Sequence, residues 1–301
     1  MRCKRILATV LLLLLLPMCF VASAQDEPFA VLRAAVAPQL DGELDAEEWG
    51  QALYTVQPSD QGAYVQRYTD KIELPDEMQV YMMWDEEYLY LAVQVQGIGH
   101  HNTQTDAANA WNGHAVMLTL QGSKGQDRLS LALGADGAVL CGAHHRGNKK
   151  DVDAPSQAHT GAVTHTGDTT VYEMRVQWSE LLYGKAPKVG DEPAFSVAAH
   201  LADAEDGTYA GAFLLATDNA DGLTLPTLRF DEGQANADFD PAATTTTTQT
   251  ETTQSTTTTT TKSSAFTLPD APTMKWVLIG CLGGALLTLV VMLVVVLCKR
   301  K

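Results

Sequence analysis

The chain has 301 residues, a formal net charge of −16 and 46% hydrophobic residues, of which few are aromatic. Most of its acidic residues fall between residues 25 and 240, where 34 Asp and Glu face 12 Lys and Arg and leave a net charge near −22. So acidic a segment repels phosphate backbones, which excludes nucleic acid and makes an anionic membrane surface a poor partner.

Residues 1–24 read as a secretory signal. Arg2, Lys4 and Arg5 precede the apolar run "ILATVLLLLLLPMCF", and Ala22-Ser23-Ala24 offers a small-residue cleavage site. The displayed domain is then 25–240. It opens with "QLDGELDAEEWGQAL", in which Asp41-Gly42 suits a tight turn. Asp45 and Glu48 have the spacing of a capping box for a short helix running through Trp49 to about Leu53. Trp49 and Leu53, four residues apart, are expected on one buried face.

Alternating apolar runs follow. "EMQVYMMW" places Met78, Val80, Met82 and Trp84 on one face, and "YLYLAVQV" does the same for Leu89, Leu91, Val93 and Val95. Further runs lie at 115–120, 128–133, 138–142, 170–178, 194–202, 209–216 and 223–230, with helix expected only near 45–53 and 179–183. Ten or so short strands predict an all-β, antiparallel, jelly-roll-like sandwich. Its only cysteine is Cys141, because Cys3 and Cys19 belong to the signal and Cys281 and Cys298 to the C-terminal apolar segment. The domain therefore lacks an internal disulfide and a zinc–thiolate cluster.

Residues 241–275 form a Thr-rich spacer in which 14 of the 18 residues from Thr244 to Thr261 are Thr. Such a tract buries no apolar surface to offset its ordering entropy, so a disordered or extended stalk is expected. Residues 276–298 carry no charge and are long enough to cross a bilayer as a helix. Lys299-Arg300-Lys301 would mark the cytoplasmic side. The expectation is a single-pass protein of the cell membrane, held by its own C-terminal helix, with its N-terminal domain outside the cell.

Five stretches, "LDGELDAEEWGQA", "YMMWDEEYLYLAVQV", "WNGHAVMLTL", "VYEMRVQWSELL" and "PAFSVAAHLADAEDG", resemble the family 9 carbohydrate-binding module in order and spacing, from about Val31 to Phe230. The resemblance implies a sandwich that binds sugar, typically at the ends of plant polysaccharide chains, often with structural calcium held by loop carboxylates. It also implies a sugar ring lying between two aromatic side chains, and Trp111 matches one of them. Stacking suits a pyranose because one face presents C–H groups while the hydroxyls need polar partners, for which Asn112, His114 and His200 are the candidates. Three departures from the family pattern stand out. His114 occupies a usually acidic position, Met117 replaces a usual carboxylate, and "TDNADGLTLP" holds no second aromatic. A glycan mode that uses Tyr or His from other loops is the alternative.

Eight histidines raise a metal or catalytic reading, but none has H-E-x-x-H spacing and no G-x-S-x-G is present. No enzyme is expected. Two other classes compete with the glycan reading: an adhesion module with a degenerate sugar site, and an electron-transfer sandwich holding haem between Met82 or Met83 and His144 or His145.

Overall fold

The computed structural model describes residues 27–60, 62–122, 125–147, 153–181, 184–216 and 225–241. The expected signal, the stalk beyond Pro241 and the apolar C-terminal segment lie outside the described residues. Fourteen strands carry the described part: β1 (Phe29–Arg33), β2 (Tyr54–Val56), β3 (Ala63–Arg67), β4 (Glu77–Trp84), β5 (Tyr88–Gln96), β6 (Ala115–Gly122), β7 (Gly125–Leu133), β8 (Val139–Gly147), β9 (Ala154–Pro155), β10 (His159–Thr166), β11 (Thr169–Gln177), β12 (Ala194–Ala202), β13 (Tyr209–Leu215) and β14 (Leu228–Gln234). A four-residue helix α1 spans Ala46–Trp49, and single 3₁₀ turns lie at Ala107–Asn109 and Trp178–Glu180.

The strands form two seven-stranded sheets. The first runs β10-β11-β5-β4-β1-β14, with β2 also on β4; the second runs β3-β13-β12-β6-β7-β8-β9. Pairing is antiparallel except at β1, which lies parallel to both β4 and β14. This corrects the all-antiparallel expectation. The long excursion through α1 and β2 separates β1 from β4, so no hairpin forces their directions to oppose.

Alternation along the strands builds the core between the sheets. Met78, Val80, Met82 and Trp84 of β4 and Leu89, Leu91, Val93 and Val95 of β5 meet Val116, Leu118, Phe195, Val197 and Phe213 of the second sheet. The opposite face of β4 and β5 is also covered, because Met83, Tyr90 and Ala92 pack against Trp49.

This outer cluster explains the turn-rich opening segment. Gly42 has φ +83° and a Cβ there would collide with Thr164. Its N–H donates to Glu173 Oε2 at 2.6 Å, and its carbonyl accepts from the Thr164 hydroxyl at 2.6 Å. The Trp49 indole donates to Glu173 Oε1 at 3.0 Å. One buried carboxylate on β11 thus holds both the turn and α1. Burial, above all, lifts the Glu173 carboxyl to about 7, against the backbone donor Gly42 and the Trp49 indole, which lower it.

Two local expectations are corrected. The helix stops at Trp49, since Gly50 turns to φ +69° and closes its N–H on Ala46 at 3.0 Å. Trp49 and Leu53 consequently join different clusters. The capping box forms by half: Asp45 Oδ1 accepts from the Glu47 N–H at 2.7 Å, while the buried Glu48 carboxylate accepts from Gln39 N–H instead.

Candidate functional site

The second sheet turns its other face outward, and there a cleft of about 340 Å³ opens. Its floor follows from the same period-two pattern. Where Val116, Leu118 and Phe213 point inward, Met117, Thr119, Ala212 and Leu214 point out, joined by Ser196, Ala198 and His200 of β12. Small side chains at Ala198 and Ala212 lower the floor. Tyr64 and Gln66 of β3, Tyr209 of β13 and Gln126 and Arg128 of β7 also line the cleft.

Of the four residues singled out from sequence, His200 lines this cleft, and Trp111 and Asn112 adjoin it through their contacts with His200 and Tyr209. The half-buried Trp111 packs beside Met117, Ala198 and Ala212, and its ring lies edge-on to Tyr209 with centroids 5.7 Å apart. The Asn112 side-chain oxygen accepts from the Tyr209 N–H at 2.9 Å, so this amide holds β13 in place. His200 lies on the floor, and its Nδ1 contacts the Trp111 carbonyl at 2.9 Å. A carbonyl only accepts, so Nδ1 carries the proton and Nε2 is left as an acceptor. Burial lowers the His200 pKa to about 4, which keeps the ring neutral.

His114 lies elsewhere. Its Nδ1 accepts from the His101 N–H at 2.9 Å, its ring is 5.9 Å from His100, and it does not line the cleft. The neighbouring Gly113 and Asn102 make close contact there, and Asn102 donates to the carbonyls of Ala110 and His114. This network shapes the loop that delivers Trp111.

A row of polar groups supports that loop from the β7–β8 side. The Ser130 hydroxyl donates to His144 Nε2 at 2.6 Å, and His144 Nδ1 donates to Asp153 Oδ1 at 2.8 Å. The order of groups matches a hydrolytic triad. Ser130, however, has no accessible surface, so its oxygen cannot meet an acyl carbon. The row instead fixes the His144 ring, which lies edge-on to Trp111 with centroids 6.3 Å apart. Gly142 makes room for it: a Cβ there would sit 2.7 Å from Ser130 Oγ, 2.8 Å from His144 Nε2 and 2.5 Å from the Ala107 carbonyl.

Tyr64, Tyr68, Tyr209 and Arg128 were missed as site residues. Tyr68 and Tyr209 lie 5.7 Å apart, extending the aromatic strip from Trp111. These tyrosines were visible in the sequence, but β13 was read for its apolar residues and β3 was not read as a strand. Burial pushes the Tyr209 phenol up to about 12.

Among the described side chains, Met82, Met83 and His144 are not brought together as haem ligands, and the His145 side chain lies outside that description. Met82 is buried between the sheets and Met83 lies on the outer face of the first sheet, whereas both His144 nitrogens are engaged beside the second. Among the described residues no three His, Cys, Asp or Glu side chains converge on one point.

Comparison with known proteins finds no matching family model and no matching curated protein. Among solved structures, a family 9 carbohydrate-binding module from Caldicellulosiruptor kristjanssonii in complex with cellotriose is similar at 14% identity and TM-score 0.44, over 70% of this chain and 98% of that one. A family 9 module from the same organism in complex with glucose gives 13% identity and TM-score 0.46, over 69% and 99% of the two chains.

Proposed function

We propose that the protein is a non-catalytic glycan-binding protein of the cell surface, which holds a polysaccharide or glycoconjugate in the cleft of the second sheet. The observation that carries this reading is the cleft's composition. Tyr209 and Tyr64, with Trp111 packed edge-on against Tyr209, flank a floor with hydrogen-bonding groups from Thr119, Ser196 and His200. Rings of this kind accept the C–H face of a pyranose, and the polar groups answer its hydroxyls. The order of motifs shared with family 9 modules agrees with it.

In this reading Trp111 and Tyr209 pack on the sugar, His200 Nε2 accepts from a hydroxyl, and Asn112 positions Tyr209. The Thr-rich segment lifts the domain from a membrane anchored by residues 276–298. Many copies on one surface would raise weak single-site affinity through avidity.

A glycan array probed with the intact chain tests this. Tyr209→Ala is expected to weaken binding about tenfold, the loss of one aromatic contact of ~1–1.5 kcal/mol, while Tyr209→Phe keeps most of it. Silence of the unaltered chain across plant and host glycans would overturn the reading and favour protein contact.

A further inference from the structure

Resting on the glycan reading of this cleft, we propose that it selects an acidic sugar, with Arg128 pairing the carboxylate of a uronic acid residue. Arg128 stands opposite Thr119 across the β6–β7 ladder and lines the cleft. Among the described lining residues it is the only charged one, and no Asp or Glu accompanies it, although the 25–240 segment carries 34 of them. A guanidinium in so acidic a domain would ordinarily find a carboxylate.

Three other arginines find partners, whereas the exposed Arg67 on β3 has no ion pair among the described residues. Arg33 pairs with Glu86 and lies over the Trp84 ring, Arg229 pairs with Asp231, and Arg175 lies over Tyr88 and contacts Thr160. Arg128 has no ion pair among the described residues, and its Nε is buried without a hydrogen-bond partner. Asp153 is engaged by His144.

A second donor shares this condition. Trp111 Nε1 is also buried without a partner, and both Trp111 and Arg128 neighbour His144. Among its described lining residues the cleft thus offers a guanidinium and no carboxylate. A neutral hydroxyl can accept from Arg128, but it brings a proton that needs an acceptor of its own. A carboxylate brings two acceptor oxygens, no proton, and the planar geometry that a guanidinium fork matches. The domain's overall negative charge repels acidic polymers at long range, so selection rests on this local pairing.

The test is calorimetric titration of the intact chain, in a polyoxyethylene detergent free of sugar headgroups, with uronic acid trisaccharides and their fully methyl-esterified forms. The acids are expected to bind at least about tenfold tighter than the esters, as a charge-assisted pair would give. Arg128→Gln should abolish that difference. Equal binding of acid and ester, or a difference unchanged in Arg128→Gln, overturns the acidic-sugar proposal and leaves the glycan reading standing. Binding of neither form, nor of neutral oligosaccharides, overturns both. The acid–ester comparison on the unaltered chain decides even if the substitution unfolds the domain.

Discussion

Trp49→Ala is expected to destabilise the domain by about 3–5 kcal/mol, read as a lowered urea midpoint at unchanged slope. The indole is 1% exposed and packs on Met83, Tyr90 and Ala92. Truncation removes that contact and leaves a cavity against the outer face of the first sheet. It also strips Glu173 of one donor, so a buried carboxyl loses a partner at the same time. Trp49→Phe separates the two effects. It keeps most of the apolar contact and loses only the N–H, so about 1–3 kcal/mol is expected. A loss below about 1 kcal/mol for Trp49→Ala would show that the opening segment is not held as described.

Stability is expected to fall steeply as pH drops from about 6.5 towards 4. Burial lowers His114, His159 and His200 to about 4 from the usual 6.5, and His100 and His144 shift in the same direction. The unfolded chain therefore binds more protons than the folded one in this window, and their contribution, complete above 6.5, is lost as pH falls through 4. Each full shift amounts to roughly 3 kcal/mol, since one unit is worth about 1.4 kcal/mol.

Glu173 works in the opposite direction. Its pKa is raised from 4.5 to about 7, so its contribution is complete below 4.5 and is lost as pH rises through 7. Three histidines with comparable shifts outweigh one carboxyl, and the net slope is positive between 4.5 and 6.5. Glu173→Gln removes the opposing group, so the gain in stability from pH 4.5 to 6.5 should become larger. Chemical denaturation at pH 4.5, 5.5, 6.5 and 7.5 checks both signs. A Glu173→Gln variant whose profile parallels the unaltered chain would refute the assignment.

The strands readable in advance were those with one face in the main core. β12 has the bounds 194–202 read from its pattern, and β4 and β5 place their alternate residues between the sheets as expected. β2 escaped because three residues carry too short a pattern, and edge strands β3 and β10 because Tyr, Gln, His and Thr interrupt theirs. The end of α1 was misjudged because the i,i+4 spacing of Trp49 and Leu53 outweighed Gly50, whose positive φ ends the helix.

The site was legible where a resemblance pointed to it and opaque where tertiary contact made it. Trp111 and His200 lie 89 positions apart and meet because β6 and β12 are neighbours in the second sheet. Arg128 gave no signal in the sequence, since nothing along β7 shows that the described lining around it holds no carboxylate. The Ser130–His144–Asp153 row was equally invisible: its members occupy two strands and a loop, and only the β7–β8 pairing aligns them.

Hydroxyl-radical footprinting of the intact chain, with and without a bound oligosaccharide, tests most directly whether the outer face of the second sheet holds the sugar. The expected result is protection of Tyr64, Tyr209 and Trp111, with unchanged oxidation of Tyr81 and Tyr88 on the first sheet. Protection confined to Tyr81 and Tyr88, or to no described aromatic residue at saturating sugar, would contradict it.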